Sequence, residues 1–418
     1  MKILVVGGGG REHAIIHKIS QNKNVDKIYC APGNGGIAEL AECIDIKATD
    51  IDGIVNFAKA NQIDMTVVAP DDPLVLGMVD KLNENGLNAF GPVSKAAIIE
   101  GSKVFSKNLM KKYNIPTAGY ETFDNSADAI EYLKTQKMPI VVKADGLALG
   151  KGVIIAENYD DAVKAVHEIM DDKAFGNAGN KVVIEEFLVG QEVSVLAFTD
   201  GKTLVPMVSA QDHKRVFDND KGLNTGGMGA FSPSRIYTEE VNKYCYENIF
   251  IPTMNAMNSE SRTFKGVLYF GLIVTENGVK VIEYNCRFGD PETQAVLPRL
   301  KTDLVDIFQA IIDEKLDTIN IEWYDNAVAC VVMASGGYPQ KYQTGYEISG
   351  IKDAENDTVT VYHAGTKNVD GKIVTSGGRV LGVSATGDTL DDAIKNSYEA
   401  VKKICFNDMH YRKDIGIK

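Results

Sequence analysis

Lys2-Ile3-Leu4-Val5-Val6-Gly7-Gly8-Gly9-Gly10-Arg11-Glu12-His13-Ala14-Ile15-Ile16 opens the chain. Residues 2–6 form a short, mostly apolar run and read as a buried strand. Four glycines follow, and residues 11–20 then place Ala14, Ile15, Ile16 and Ile19 at helical spacing. Strand, glycine loop and helix in that order begin a doubly wound α/β domain. Further strands read at residues 27–30, 65–69 and 88–90, with helices at 51–60 and 73–85 between them. Alternation of strand and helix implies a parallel sheet.

This first unit is expected to span residues 1–101, and a second to span 102–326. The second begins with a helix over 102–113, broken by Asn114-Ile115-Pro116-Thr117. A smaller α/β module follows, with strands at 140–143, 153–156 and 182–187 and a helix at 160–170. From Glu192 a longer sheet reads at 192–198, 204–209, 265–275 and 280–285. Glu276-Asn277-Gly278 supplies a type I′ hairpin signal in it. Residues 209–234 show no clear period, and a stretch of that length inside a compact protein is functional or disordered. After residue 325 come short antiparallel-type strands at 327–334, 358–364 and 379–385 and a closing helix at 390–405, giving a third unit over 327–418.

The 418 residues carry a formal charge of 44 − 57 = −13. The length fits two to four domains at roughly 100–200 residues each. A hydrophobic share of 44% with 24% charged residues is ordinary for a globular chain and excludes disorder as its general state. The acidic balance argues against nucleic acid as the main partner but leaves small anions open, because local lysines, arginines and backbone N–H groups can hold them. No apolar run reaches the roughly 18–20 residues that span a bilayer. The first apolar stretch is also too short for a signal sequence, so a cytoplasmic protein is expected. Cysteines stand at 30, 43, 245, 286, 330 and 405, with no CxxC spacing, which reads as free thiols in a reducing compartment and not as a zinc site.

Three motifs carry chemistry. The first glycine loop departs from the dinucleotide fingerprint, since Glu12 stands where the third glycine belongs. The second strand also ends in Tyr29-Cys30-Ala31-Pro32-Gly33, without a carboxylate for a ribose. Three readings stay open for it: a nicotinamide dinucleotide despite these departures, packing glycines with no ligand, or a different phosphate at the helix N-terminus. The second motif, Lys143-Ala144-Asp145-Gly146-Leu147-Ala148-Leu149-Gly150-Lys151-Gly152, lacks P-loop spacing and joins two strands. It is either an ordinary hairpin or a glycine-rich flap over phosphates with Lys143 beneath it. The third is Glu283-Tyr284-Asn285-Cys286-Arg287-Phe288-Gly289-Asp290-Pro291-Glu292-Thr293-Gln294. Strand alternation puts Glu283, Asn285 and Arg287 on one face. Glu and Asn are hard oxygen donors suited to Mg²⁺ on substrate phosphates, and an arginine there can stabilise a transferring phosphoryl group or hold a carboxylate.

With these runs in view, the chain resembles the ATP-grasp ligases, and among them the phosphoribosylamine–glycine ligase (glycinamide ribonucleotide synthetase) family. The likeness covers essentially the whole chain. It rests on Gly8-Gly9-Gly10-Arg11-Glu12-His13-Ala14, Ala31-Pro32-Gly33-Asn34, the Lys143–Leu147 run, and Gln211-Asp212-His213-Lys214-Arg215. Asn224-Thr225-Gly226-Gly227-Met228-Gly229-Ala230, the Asn285–Gln294 run, His363-Ala364-Gly365-Thr366 and Ser376-Gly377-Gly378-Arg379-Val380 agree. Phe217, Leu223 and Leu149 stand where the family commonly has other residues.

The resemblance implies an α/β protein with an N-terminal Rossmann-like domain, a central ATP-grasp domain with a small lid module at about 120–190, and a C-terminal mixed α+β domain. It implies that glycine is joined to 5-phosphoribosylamine in purine biosynthesis, with ATP as co-substrate and Mg²⁺ or Mn²⁺ as metal. Carried over residue by residue, it makes Glu283 and Asn285 the metal pair and Arg287 catalytic. Lys103, Lys143, Gly146, Gly150, Lys151, Gly152, Glu185, Glu186, Phe187, Leu188 and Glu192 would face ATP. Gly9, Gly10, Arg11, Asp212, His213, Lys214, Asn224, Thr225, Gly226, Gly227 and Asp290 would face the other substrates. Partners are then small molecules only, with no nucleic acid and no membrane, and the chain is expected to act as a monomer. A different ATP-grasp ligase and a non-catalytic nucleotide-binding regulator are the competing readings. Glycine-dependent ADP release and ATP turnover separate them.

The cysteine pattern gives a first test. Thiol titration of the unfolded, unreduced protein should count six free thiols, and a count of four or fewer would overturn both the free-thiol reading and the compartment inferred from it.

Overall fold

The computed structural model of the chain describes residues 1–147 and 152–417. Lys2–Gly7, Lys27–Pro32, Glu42–Cys43, Met65–Val68 and Ala89–Phe90 form one parallel sheet in which Lys2–Gly7 is central. The burial of Ile3, Leu4, Val5 and Val6 on both faces of that strand explains its uninterrupted apolar run. Helices Gly10–Ile19 and Ile51–Asn61 follow the strands as expected. The single helix expected at 73–85 is instead two, Asp71–Val75 and Met78–Glu84, because Gly77 adopts φ +89° between them.

Helix Lys103–Lys112 starts where Ser102 Oγ accepts from the Phe105 N–H at 3.0 Å. An antiparallel sheet of Tyr120–Phe123, Val182–Glu186, Ile140–Ala144 and Val153–Ala156 comes next, in the order first, second, third, fourth as named. Helix Tyr159–Val166 packs on it, and Ala129, Leu133, Val142, Ala162, Val166 and Ile184 make its own small core.

A second antiparallel sheet runs Leu204–Pro206, Gln191–Thr199, Gly266–Thr275, Gly278–Asn285. Its last hairpin differs in detail from the sequence reading. The positive φ falls on Gly278 (+104°), with Glu276 and Asn277 at negative φ, so the turn is not type I′. Thr275 Oγ1, which accepts from the Asn277 N–H at 3.1 Å and donates to Gly278 O at 2.8 Å, holds that geometry.

The aperiodic stretch 209–234 is ordered as strands. Gln211–Asp212 and Gly229–Ser232 join Ala327–Ser335, Arg379–Gly387, Val359–His363 and Met409–His410 in a six-stranded sheet, while Arg215–Phe217 and Lys221–Asn224 form a separate hairpin. The chain's last residues clamp that hairpin. The buried Arg412 guanidinium pairs with Asp414 at 2.7 Å and Asp220 at 2.9 Å and donates to Arg215 O at 3.0 Å. A second hairpin, Thr366–Val369 with Lys372–Thr375, lacks any counterpart in the sequence reading. Helix Leu390–Val401 covers the six-stranded sheet. Among the described residues no helix is long and apolar enough to cross a membrane.

Phe308, on helix Leu304–Ile312, ties the parallel sheet to the central domain. It stacks on Phe90 at 3.8 Å between ring centroids and meets Phe288 edge-on at 6.2 Å, with no exposed surface. Phe308→Ala should cost about 3–5 kcal/mol. The urea midpoint should fall with an unchanged slope, and a loss under about 1 kcal/mol would show that the two layers do not depend on this contact.

Candidate functional site

The Gly278–Asn285 strand owes its use to one irregularity. Gly271 faces Glu283 and Leu272 faces Val281, so Ile282 is an extra, unpaired residue, a β-bulge. The bulge reverses the alternation. Val279 and Val281 are buried before it, and Tyr284 and Cys286 after it. Glu283 and Asn285, which would otherwise follow the valines into the core, therefore turn to the opposite face. Gly271 makes room there, since a Cβ on it would lie 3.0 Å from Glu283 Cγ.

Cations crowd that face. Lys143, on Ile140–Ala144, points its Nζ at the carbonyl of the bulged Ile282 at 3.4 Å and pairs with Glu185 at 3.0 Å. Lys214 Nζ lies 2.7 Å from Glu192 and 3.9 Å from Glu283. Lys103 Nζ donates to Gly146 O at 2.8 Å, and Asp145 accepts from Ser102 Oγ and the Val104 N–H at 2.9 and 3.1 Å, so the glycine hairpin is pinned to the start of the Lys103–Lys112 helix. Burial alone would raise the Glu283 carboxyl, but Lys214, Lys143, Lys103 and Arg287 together hold it below its ordinary pKa. Burial pulls the Lys103 ammonium down, with Glu283 opposing. Asp212 is pushed up by burial, and Glu292, Glu192 and Glu283 push it further against the pull of Lys214.

Arg287 lies just beyond the strand, with Nη2 3.5 Å from Asn285 Oδ1. Its main partners come from the first unit: Glu100 at 2.9 Å and Asp71 at 3.7 Å. Glu100, buried, also accepts from the Cys286 N–H at 2.7 Å. Nothing in the sequence pattern marks Asp71 or Glu100, because each lies on a helix almost 200 residues or more from its partner. Arg287 Nε is buried with no hydrogen-bond partner.

On the opposite side, Asp212 sits on its short strand across from Ala230, and His213 is bonded through its N–H to Gly229 O at 2.9 Å. Lys214 O accepts from both the N–H and the Oγ1 of Thr225 at 2.8 Å, which hangs the Asn224–Gly227 loop beside Lys214. Arg379 closes the arrangement, donating to Gly226 O at 2.6 Å and Asp290 O at 2.8 Å and pairing with Asp290 Oδ2 at 2.9 Å. Arg379 belongs to a run that the sequence singles out, but its role emerges only from these contacts. The first glycine loop reaches the same place: a Cβ on Gly10 would meet Gln294 Nε2 at 2.6 Å, and one on Gly9 would lie 3.7 Å from Asp290 Oδ2.

That loop's charge differs from the anion-binding option. The buried Glu12 takes the Gly9 N–H at 2.6 Å and pairs with Arg11 Nε at 2.7 Å, while Arg11 Nη1 donates to Phe288 O at 3.1 Å. A carboxylate from the chain itself thus occupies part of the helix N-terminus. Asn34 Nδ2 bridges Gly8 O and His363 O at 3.0 and 2.8 Å, and the His363 N–H donates to His13 Nδ1 at 2.8 Å. Burial, with His363 and His17 adding repulsion, lowers His13 to about 3, and burial lowers His363 to about 4, so both are neutral at pH 7.

Glu185 and Glu186 divide by strand parity. Glu185 is buried, whereas Glu186 turns out to Lys280 at 2.9 Å and the Gly119 N–H at 2.9 Å. A cavity of about 600 Å³ lies beside this segment, lined by Glu186, Phe187, Leu188, Val274 and Lys280. Gly152 O accepts from the Ala144 N–H at 2.8 Å, and Gly150 and Lys151 lie outside the described residues.

Comparison with known proteins agrees with this geometry. Residues 1–100 match the N domain, 101–293 the ATP-grasp domain and 328–418 the C domain of phosphoribosylglycinamide synthetase. A phosphoribosylamine–glycine ligase of Clostridium acetobutylicum is 52% identical, over 100% of this chain and 99% of that protein. One from Caldanaerobacter subterraneus is 48% identical with the same coverage. The crystal structure of the Thermotoga maritima phosphoribosylamine–glycine ligase superposes with a TM-score of 0.87 at 31% identity, covering 100% of both chains. Biotin carboxylase from Campylobacter jejuni, at 13% identity and a TM-score of 0.75 over 98% of this chain and 92% of that one, shares the fold. Full-length likeness at this level, with all three domain models in order, establishes that the chain belongs to the phosphoribosylglycinamide synthetase family, the phosphoribosylamine–glycine ligases of the ATP-grasp fold.

Proposed function

We infer that the chain performs its family's reaction: glycine, 5-phosphoribosylamine and ATP give glycinamide ribonucleotide, ADP and phosphate in purine biosynthesis. The observation that carries this is the face on which Glu283 stands among Lys103, Lys143 and Lys214, with Asn285 beside Arg287. Lysines suit phosphates, and glycine-rich backbone beside Asp290 suits a compact polar substrate.

A divalent metal fits the residues present. Glu283 and Asn285 offer hard oxygens, Glu283 is held ionised, and its side chain keeps 36% of its surface open. Among the described residues no group of three or more His, Cys, Asp or Glu forms a self-sufficient cage, as expected where nucleotide phosphates complete the coordination. Mg²⁺, or Mn²⁺ in its place, would neutralise charge on the transferring phosphate.

The chain's own groups do the rest. Lys103 and Lys143 hold nucleotide phosphates, and Gly146, Gly150, Lys151 and Gly152 are assigned to the same ligand. Glu185, Glu186, Phe187 and Leu188 present the hinge to adenine, and Glu192 holds the ribose. Arg287, fixed by Glu100 and Asp71, steadies the transferred group. Gly9, Gly10, Arg11, Asp212, His213, Lys214, Asn224, Thr225, Gly226, Gly227 and Asp290 hold the remaining substrates.

We propose that the γ-phosphoryl passes to a glycine carboxylate oxygen, breaking its bond to ADP and forming glycyl phosphate. The amine of phosphoribosylamine then attacks the carbonyl carbon, loses a proton, and phosphate leaves with that carboxylate oxygen. Water must be kept out, or the acyl phosphate hydrolyses. The working units are residues 1–101, 102–326 with a lid at about 120–190, and 327–418. The chain is proposed to act as a monomer, and free thiols support a cytoplasmic setting.

Glu283→Gln should retain the fold and lose at least about 100-fold in turnover, the scale of removing one preorganised charge; near-normal turnover at saturating Mg²⁺ would take Glu283 out of the metal site. With ¹⁸O in the glycine carboxylate, the released phosphate should carry one labelled oxygen. Unlabelled phosphate from the complete reaction would remove the acyl phosphate and, with it, the role given to Arg287.

A further inference from the structure

Lys107 is among the largest fully buried side chains of the protein, with 2% of its surface exposed, and no substrate can reach it. It lies one turn beyond Lys103 on the same helix. Its Nζ is 3.0 Å from Glu185 Oε2 and donates to Thr117 Oγ1 at 2.7 Å, and Thr117 in turn donates to Val281 O at 2.7 Å. The other Glu185 oxygen is 3.0 Å from Lys143. Two ammonium groups thus share one buried carboxylate, and the three side chains carry a net charge of +1.

A buried ammonium is costly unless it is paired, and an apolar residue would fill the same space more cheaply. The geometry points to Lys107 as a positioning residue for ATP: it offsets Glu185, so that Lys143 keeps its positive charge for the nucleotide phosphates. Without Lys107, Glu185 and Lys143 would form a neutral pair, and the phosphates would meet a cancelled charge. This rests on the reading above that Lys143 faces those phosphates.

Proton binding gives the idea a distinctive signature. Burial lowers Lys107 to about 8, with Lys143 adding repulsion against the pull of Glu185 and Glu186, and the Tyr120 ring lies 5.5 Å from Nζ. A lowered ammonium pKa means that the charge is present below about 8 and lost above it. ATP affinity of the unaltered chain should therefore fall between pH 7 and 9.5.

The test measures binding of ATP and adenosine to the full chain in Mg²⁺ by calorimetry, for Lys107→Met, Lys107→Arg and Lys143→Met. Lys107→Met should bind ATP about tenfold or more weakly, adenosine nearly as before, and show no fall above pH 8, as expected for loss of one charge acting over a few ångströms. Lys107→Arg should hold ATP tightly to pH 9.5, since a guanidinium does not titrate there. Equal losses for ATP and adenosine, or an arginine variant whose affinity still falls above pH 8, would overturn the proposal. The arginine profile decides alone should the methionine variant fail to fold. Unchanged ATP binding in Lys143→Met would strike down the phosphate reading itself, whereas a loss there with none in Lys107→Met sinks only the role given to Lys107.

Discussion

A charge taken out of water must meet an opposite charge, and in this protein that demand joins segments far apart in the chain. Glu185 is buried between Lys107 and Lys143, Glu100 holds Arg287, and Arg379 holds Asp290. Removing one partner of such a pair leaves the other stranded, which costs more than the pair itself contributes. The face proposed for catalysis is therefore not added to a finished scaffold. Glu100–Arg287 joins the first unit to the second and Asp290–Arg379 the second to the third, while the Glu185 pairs tie a helix and strands within the second, and all of them border the face proposed to take phosphates.

The same constraint shapes the neutral parts. His13 accepts a backbone hydrogen bond from His363 across the junction of the first and last units, which requires an unprotonated Nδ1, and burial keeps it so. Arg412 shows the charged version: a guanidinium with no exposed surface, satisfied by Asp414, Asp220 and a carbonyl, which ties the end of the chain to the hairpin preceding the Asn224–Gly227 loop.

What could be read in advance follows from how far each signal travels. Strand 2–7 and helix 10–19 were legible because their burial pattern lies within one short segment. The strands within 209–234 were not, because they are two to four residues long and the sheet they join is completed by Ala327–Ser335, about a hundred residues later. The split of the 73–85 helix needed the backbone of Gly77, whereas the Thr366–Thr375 hairpin was announced by Asp370-Gly371, a type I′ pair with both residues at positive φ, which the sequence reading passed over. For the site, long specific runs named most candidate residues through family likeness. Asp71, Glu100, Lys107 and Arg379 escaped that list because their work is defined by partners, not by neighbours in sequence.

The bulge at Ile282 has a further consequence for how this sequence can change. The positions of Glu283 and Asn285 are fixed by counting along the strand, since one unpaired residue decides which side chains face the core. Many substitutions of Ile282 would preserve that count. Pairing it into the ladder without a bulge would reverse the count, and the two oxygen donors would swing to the core side of Val279 and Val281, whereas deleting it would restore plain alternation and leave the donors on the cleft face. The strand can therefore exchange Ile282, or lose it, without turning its polar half toward the core, and what it cannot tolerate is a ladder that pairs straight through this position.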